Sequence, residues 1–234
     1  MAAGAGILDA DGFRLHRYAA PHPFFRSLAL PRPTPSPAGA RVEALLDAST
    51  RFGVAPRAEF TAELWPELPD ALAAAGLKPE TVARLMVREE DGVAPPPPAG
   101  VRFCLAGADT PLPRLQDFSA GLDRANGAAP GPSLAAEALA LRRFLARAEG
   151  RLVLAFADGE VVAGAALAGR DAPELCAVWT AIAHRGRGLA SAACRTLLEG
   201  VAAEGPVWTA AAPGAMGLYA RLGFVPVGQR FAFG

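Results

Sequence analysis

The sequence predicts an α/β fold with a mixed sheet, because apolar runs typical of strands alternate with amphipathic stretches typical of helices. The clearest unit is residues 178–190, where a β-prone run ends in a loop of glycines and arginines that opens directly into a helix rich in Ala and Leu. A second observation is the dipeptide Asp158-Gly159, which lies between two apolar runs and therefore predicts a β-hairpin. With 234 residues, 52% of them apolar, the chain can bury the core of one large domain or two small ones.

Helices are predicted where apolar residues recur every three or four positions, and several of these stretches end near a glycine such as Gly53, Gly76 or Gly150. In chain order the predicted helices are residues 41–51, 68–75, 112–124, 134–148, 189–203 and 215–222. Short apolar runs predict strands at residues 58–64, 81–87, 101–105, 152–156, 161–167, 175–182, 206–211, 224–227 and 229–233. Residues 1–40 are predicted to be irregular or short-stranded, with one buried strand near residues 24–30, because the prolines at 31, 33, 35 and 37 exclude regular structure after it.

The proline run at 95–98 and the turn dipeptide Asp91-Gly92 predict an exposed linker. We therefore divide the chain into an N-terminal half (1–92), a linker (93–100) and a C-terminal domain (101–234). Residues 41–87 and 189–233 share the order helix, strand, helix, strand, which indicates a degenerate internal repeat. Leu72 stands in the first copy where the second has Tyr219, so only the second copy keeps polar side chains for chemistry.

Composition excludes several classes of function. The net charge of zero argues against a general binder of nucleic acids, and no apolar run is long enough to span a membrane. The three cysteines and three histidines are too few and too scattered to predict a disulfide framework or a metal site. The N-terminus lacks the pattern of a signal peptide. We therefore expect a cytoplasmic protein without a metal.

The loop at residues 185–190 predicts a site for a phosphorylated ligand. A helix start leaves backbone N–H groups unpaired, Gly186 and Gly188 allow close approach, and Arg185 and Arg187 add positive charge. The bare pattern Arg-x-x-Gly-x-Gly/Ala is weak evidence, since it also fits residues 124–129. There, however, prolines at 130 and 132 exclude a following helix, so context favours the second match.

Residues 101–234 resemble the GNAT family of N-acetyltransferases. The resemblance rests on the loop at 185–190 after its strand, the helix that follows, and the stretch Tyr219-Ala-Arg-Leu-Gly-Phe224, which matches the family element Tyr-x-x-x-Gly-Phe downstream. The N-terminal half more loosely resembles the truncated, degenerate copy found in tandem members of the family. The resemblance therefore implies an acetyltransferase-like fold in two pseudo-symmetric copies.

The same resemblance implies acetyl-CoA as the ligand and an amine of a small molecule or protein as the acceptor. The pyrophosphate would be held by the loop residues Arg185, Gly186, Arg187, Gly188, Leu189 and Ala190. The pantetheine arm would lie where strand 175–182 splays from strand 206–211, and a main-chain N–H near Val178, Trp179 or Thr180 would polarise the thioester carbonyl. Tyr219 would protonate the leaving thiolate, and Glu174 is a candidate base.

Two positions depart from the family pattern. Ala212 stands where an Asn often contacts the cofactor arm, and Ile182 replaces a proline common before the loop. A second hypothesis is therefore a CoA-binding module that has lost catalysis and has a regulatory or structural role. A third, a nucleic-acid binder that uses Arg185 and Arg187, is disfavoured by the zero net charge. The acceptor and the oligomeric state do not follow from the sequence.

Overall fold

The computed structural model describes residues 6–17, 27–89, 92, 98–148, 150–199 and 206–234. Contacts between residues divide the chain into two compact units. Unit 1 contains Met1–Leu85, Ala210–Pro213 and Pro226–Gly234, and unit 2 contains Met86–Thr209 and Gly214–Val225. Each unit is therefore assembled from separate parts of the chain.

Strands and helices alternate along the described residues. The strands are β1 (Gly6–Ala10), β2 (Phe13–Arg17), β3 (Leu28–Pro31), β4 (Ala58–Thr61), β5 (Pro79–Arg88), β6 (Arg102–Ala106), β7 (Gly150–Ala157), β8 (Glu160–Ala168), β9 (Glu174–Thr180), β10 (Trp208–Ala211) and β11 (Phe224–Phe233). The α-helices are α1 (Ala38–Phe52), α2 (Leu68–Ala74), α3 (Leu112–Ala125), α4 (Leu134–Ala146), α5 (Leu189–Leu198) and α6 (Met216–Arg221). The element types confirm the predicted α/β class.

Unit 1 has a mixed sheet in the order β1-β2-β3-β4-β11-β5. β1, β2 and β3 are joined antiparallel, β3 runs parallel to β4, and β11 pairs antiparallel with β4, so that Phe231 lies opposite Phe60. α1 buries Val42, Leu45 and Ala48 against the core of this unit. β11 follows α6 in the second helix–strand–helix–strand segment. Its pairing partner β4, however, belongs to the first of these segments.

Unit 2 has a sheet in the order β10-β9-β8-β7-β6, in which β9 and β10 are parallel and the other neighbours are antiparallel. The predicted hairpin joins β7 to β8, and Asp158 and Gly159 have φ values of 49° and 82°. Two positive values are what a tight type I′ turn requires. α3 packs closely on β9. A Cβ added to Gly121 of α3 would lie only 2.1 Å from the Trp179 ring, so the contact requires a glycine there. This packing buries Trp179 on the strand that leads into the glycine loop.

The N-terminal hairpin is the main element that we did not predict. Residues 6–17 form β1 and β2 around Asp11-Gly12, where Gly12 has φ = 72°. The Asp-Gly dipeptide is a hairpin signal, and the density of prolines after residue 30 obscured it. The strand predicted near residues 24–30 corresponds to β3, which begins at Leu28, while residues 24–26 lie outside the described part.

Several predicted boundaries also change. The two closing strands predicted at 224–227 and 229–233 form one strand, β11, which passes through Pro226 and Gly228 without a break. The strand predicted at 58–64 ends at Thr61 and is followed by a short 3-10 turn. The helix predicted at 189–203 is described to Leu198, and residues 200–205 lie outside the described part, as do 90, 91 and 93–97 in the predicted linker. The domain boundaries at 92 and 100 stay a prediction.

Candidate active site

The strand that leads into the glycine loop contains a bulge. In the register between β8 and β9, Gly164 lies opposite Trp179 and Ala166 lies opposite Cys176, so β9 carries one more residue than β8 over this stretch. Ala177, within the bulge, has φ = 48°, a left-handed conformation that is unfavourable for a residue with a Cβ. A bulge of this kind turns main-chain groups out of the ladder, here at residues 177 and 178.

On its other side β9 is joined to β10 over a very short length. In the described residues the ladder has one pair, Trp208 opposite Glu174. The Trp208 main-chain N–H donates to the Pro173 carbonyl at 3.1 Å. One residue further, the Thr209 hydroxyl donates to the Leu175 carbonyl at 2.8 Å, so a side chain makes the cross-strand bond there. This short ladder agrees with the predicted splay of the two strands.

The loop between β9 and α5 presents a row of unpaired backbone donors. Gly186 and Gly188 have φ values of 76° and 77°, and Gly188 is the N-cap of α5. The first helical bond runs from the Ala192 N–H to the Gly188 carbonyl, at 3.0 Å. The N–H groups of residues 186–191 find no acceptor in the part of the chain that the structure describes. Donors gathered at a helix start form a site for an anion such as a phosphate.

The two arginines of the loop have different surroundings. Arg185 donates through Nη2 to the Ala125 carbonyl at 2.9 Å, which fastens the loop to the end of α3. The exposed Arg187 lies beside His184, with 3.0 Å between Nη1 and Nδ1. Leu189 is 1% exposed and packs with Ala155, Ala157, Val162 and Ala163. The start of α5 is thus anchored by Arg185 and Leu189, while Arg187 remains at the surface.

Tyr219 is held in a buried position on α6. Its ring is 7% exposed and meets Phe224 edge-on at a centroid distance of 5.8 Å. Burial raises the pKa of its phenol above the ordinary value of 10, and three nearby groups act in the same direction: Cys194, Cys176 and Glu174. A hydrogen bond with the Thr209 side chain acts against this increase in the pKa. The phenol is therefore protonated at neutral pH, as a general acid must be.

The remaining predicted residues lie along β9. Glu174 begins the strand, half-buried, opposite both Trp208 and Ala168, and is close enough to Tyr219 to influence its pKa. Trp179 is 4% exposed, and its ring meets Phe118 of α3 edge-on at 6.0 Å. Val178 and Thr180 are partly exposed. Because the Trp179 side chain packs against Phe118, we expect any contact with a ligand to come from the main chain of residues 178–180.

Two residues at this site could not be predicted from a local sequence pattern. Ala177, at the bulge, is an ordinary strand alanine in the sequence, and Thr209 is one of four small residues at 209–212. Both acquire their position from pairing with neighbouring strands, which no local pattern specifies.

Unit 2 also contains a cleft of about 380 Å³, lined by the ends of β6 and β8 and by residues that include Arg151, Arg170 and Pro173. Pro173 precedes β9, so the cleft lies toward the opposite end of this strand from the glycine loop. Within the described residues, no group of three or more His, Cys, Asp or Glu is placed to hold a metal ion. None of the helices described combines the length and the apolar character needed to cross a bilayer.

Residues 122–224 match the family model described as the acetyltransferase (GNAT) family. The match includes the loop at 185–190 and the stretch 219–224, the two motifs on which the resemblance rests. Comparison with curated proteins gave no match.

Solved structures share the fold over nearly the whole chain. A GCN5-related N-acetyltransferase from Kribbella flavida is 22% identical with a TM-score of 0.74, and the match covers 99% of this chain and 89% of that one. A tandem GNAT protein from the clavulanic acid biosynthesis pathway is 17% identical with a TM-score of 0.65, covering 94% and 77% of the two chains. A GCN5-related N-acetyltransferase from Sphaerobacter thermophilus is 13% identical with a TM-score of 0.68, covering 95% and 76%. At these identities the likeness establishes the fold.

Proposed function

We propose that this chain, whose residues 122–224 match the acetyltransferase (GNAT) family, transfers an acetyl group from acetyl-CoA to an amine of a small molecule or protein. The observation that carries the proposal is the row of unpaired N–H groups at residues 186–191, placed at the end of a bulged strand. Acetyl-CoA supplies a thioester, whose acetyl group is transferred and whose sulfur departs as a thiol.

The loop fits a diphosphate. A Cβ built on Gly186 would meet no atom within 4 Å, so the space in front of its backbone is open. Because the side chain of Arg185 is hydrogen-bonded to the Ala125 and Thr180 carbonyls, its role is to hold the loop in shape. Arg187 is exposed and contributes charge that attracts the ligand. The binding itself comes from the main chain of residues 186–191.

The bulge at Ala177 supports a second role for the main chain. An N–H near Val178–Thr180 that leaves the β8–β9 ladder can donate to the carbonyl oxygen of the acetyl group, where negative charge develops during attack. The left-handed backbone of Ala177 costs free energy, of about 1–2 kcal/mol, and persists only because packing on both sides of β9 holds it. The packing of Trp179 beneath α3 provides part of that support.

Two side chains hold protons in the proposed reaction. Tyr219 holds a proton at its phenol oxygen for the departing sulfur, in a site where burial keeps it protonated. Glu174 is the candidate base that takes a proton from the attacking amine. Glu174 influences the pKa of Tyr219 electrostatically, which supports assigning the two residues to one site.

The N-terminal segment is proposed to be a degenerate copy of the same fold. α1, β4, α2 and β5 follow each other in the same order as α5, β10, α6 and β11. One structural neighbour, from the clavulanic acid biosynthesis pathway, is a tandem GNAT protein, which supports this proposal.

Thermal unfolding tests the cofactor. Acetyl-CoA at about one hundred times its dissociation constant adds ~2.7 kcal/mol to the free energy of unfolding of a protein that binds it. We expect a clear rise in the melting temperature. A melting curve unchanged at saturating acetyl-CoA would reject the proposed function.

Release of free thiol in the presence of an amine panel then separates an enzyme from a binding module. Amine-dependent thiol release, absent without the amine, is the result expected of an acetyltransferase. Binding of acetyl-CoA without release for any amine would favour the module that has lost catalysis. Gly188→Trp serves as the blocked control, because an indole at the N-cap fills the approach to the donors of residues 186–191.

A further inference from the structure

The cleft at the end of the unit 2 sheet has apolar walls. Leu105, Leu145, Leu167 and Pro173 line it, from β6, α4, β8 and the residue before β9. Its volume of about 380 Å³ is within the range of pockets that hold small molecules. Leu105 is 57% exposed although its side chain is large and apolar. The cleft therefore offers apolar surface that a ligand can cover.

Arg170 is held in a fixed position at this cleft. Its Nε donates to the Ala148 carbonyl at 3.3 Å, and its Nη2 donates to the Arg147 carbonyl at 2.8 Å. Both carbonyls lie just beyond α4, where helical hydrogen bonding ends and carbonyls need other donors. Two bonds to the main chain fix the orientation of the guanidinium plane.

The opposite edge of this guanidinium is available to an anion. A guanidinium has five N–H donors, and the bonds to the end of α4 use the edge formed by Nε and Nη2. Nη1 has no acceptor in the part of the chain that the structure describes. The edge formed by Nη1 and Nη2 matches the two oxygens of a carboxylate.

The charges around the cleft favour an anion. Arg151 of β7 lines it together with Arg170, and none of the described lining residues is Asp or Glu. Asp171, the next residue after Arg170, is exposed and does not line the cleft. A negatively charged group therefore meets a complementary wall, whereas an amine would not.

The backbone of the cleft is strained at one position. Ala148, which lines it, has φ = 50°, a left-handed conformation that is unfavourable for a residue with a Cβ. On the neighbouring strand, Gly150 lies so close to β8 that a Cβ would be 2.0 Å from the Leu167 carbonyl oxygen. The bond from Arg170 helps to hold Ala148 in place. Strain of this kind is concentrated at ligand sites, and close packing makes the wall rigid before a ligand arrives.

We propose that this cleft is a second ligand site, which binds a small carboxylate with an apolar chain, such as a medium-chain fatty acid. Arg170 receives the carboxylate, and Leu105, Leu145 and Leu167 receive the chain. The cleft lies toward the opposite end of β9 from the glycine loop. The inference is therefore independent of the proposed acetyl transfer.

Isothermal titration of the full chain with octanoate tests this site. The two control ligands are 1-octanol, which has the chain without the charge, and acetate, which has the charge without the chain. We expect octanoate to bind at least about tenfold more tightly than either, because the hydrogen bonds to the charge and the buried chain both contribute. Saturating acetyl-CoA should change the octanoate affinity by less than about twofold.

Two substitutions locate the site. Arg170→Gln should lower the octanoate affinity by about tenfold or more and leave the affinity for 1-octanol within about twofold. Because it also removes bonds to the end of α4, its urea midpoint is measured in parallel. Leu105→Asp, at an exposed position, should lower the octanoate affinity by a similar factor without affecting folding. The matched control is Leu64→Asp, which changes another exposed leucine in unit 1 and should leave the affinity unchanged.

Three results would overturn the inference. One is an affinity for octanoate no greater than that for 1-octanol. Another is an unchanged octanoate affinity in Leu105→Asp or in a folded Arg170→Gln variant. The third is loss of octanoate binding in the presence of acetyl-CoA, which would place the carboxylate in the acetyl-CoA site. A failure of acetyl-CoA to bind would overturn only the proposed function.

Discussion

The two helix–strand–helix–strand segments differ most at the start of their first helix. α5 begins at a left-handed glycine, after a loop whose N–H groups have no acceptor among the described residues. In contrast, α1 begins after Pro37, which has no N–H and an extended backbone. The charged residue near the start of α1 is Arg41, which is 3% exposed, is paired with Glu67 at 2.8 Å and lies over the Trp65 ring at 4.8 Å. In the first segment, Arg41 therefore packs within unit 1. In the second, the backbone N–H groups at the helix start remain available to a ligand.

The same contrast appears on the second helix of each segment. Leu72 of α2 is fully buried in the core of unit 1, and Tyr219 of α6 is buried in unit 2, where its ring meets Phe224 edge-on. One element type thus supports a core in one case and a reactive group in the other. Elements of the same type and order therefore do not imply the same chemistry, because chemistry depends on which polar groups remain available. Four measurements would sharpen or break this comparison.

The largest effect is expected at Tyr219. Tyr219→Phe keeps the ring and removes the proton donor, so we expect kcat to fall by about 100-fold or more while acetyl-CoA binding stays within a few-fold. Steady-state kinetics with a thiol reagent measure both. The matched control is Leu72→Met, a volume-conserving core change that should leave kcat intact. Equal turnover in Tyr219→Phe and the unaltered chain would exclude the acid role.

The second prediction concerns Arg41. Removing its side chain leaves a space in the core of unit 1 and breaks the contacts with Glu67 and Trp65, so Arg41→Ala should lower the free energy of unfolding by about 2–3 kcal/mol. Acetyl-CoA affinity should not change. Arg187→Ala, at the exposed loop, should do the reverse, with a weaker affinity and unchanged stability. Urea unfolding and isothermal titration give the two quantities, and a loss of affinity in Arg41→Ala would contradict the contrast between the segments.

The third prediction compares two glycines that both have a left-handed backbone conformation. Gly186 and Gly53 have φ values of 76° and 68°, and a Cβ on either would meet no atom within 4 Å. Each Gly→Ala change should therefore lower the free energy of unfolding by about 1–2 kcal/mol. Only Gly186→Ala should also weaken acetyl-CoA binding, by about tenfold or more, because the strain turns N–H groups away from the phosphates. Similar affinities in the two variants would remove the loop from the site.

The smallest effect concerns Cys194, which α5 buries completely, whereas α1 buries Ser49 instead. Burial raises the pKa of the Cys194 thiol to about 12, from an ordinary value of 9.0. Below pH 9 the thiol is protonated in both the folded and the unfolded chain, so it adds no pH dependence. Above pH 9 the unfolded chain loses this proton and the folded chain keeps it, so the free energy of unfolding should fall by about 1–2 kcal/mol up to pH 10.5.

Urea unfolding at several pH values measures this decrease. Cys194→Ala should remove that part of it, and Ser49→Ala, a control at a buried position of α1, should leave it intact. If Cys194→Ala showed the same decrease in the free energy of unfolding, other titrating groups would be its cause.

Much of the fold followed from local patterns. The hairpin of β7 and β8, the helices α3 to α5 and the loop at Gly186 and Gly188 are each specified by residues within about a dozen positions of one another, through turn propensity and apolar spacing. The hairpin of β1 and β2 had such a signal at Asp11-Gly12, but we predicted residues 1–40 only as irregular or short-stranded, with prolines at 31–37 excluding regular structure. The prediction of two separate strands at 224–227 and 229–233 was wrong, because Pro226 and Gly228 suggested a break between them. In the structure β11 is continuous, and its residues after Gly228 pair with β4.

The sequence by itself determined that a strand, a glycine loop and a helix start follow each other at residues 178–190, because backbone conformation there depends on neighbouring residues. Only the tertiary structure decided that β9 bulges at Ala177, that Arg185 reaches the Ala125 carbonyl, and that the Thr209 hydroxyl donates to the Leu175 carbonyl. These contacts join residues far apart in the chain. Their geometry is set by strand register and by packing over the whole unit, for which a local pattern contains no information.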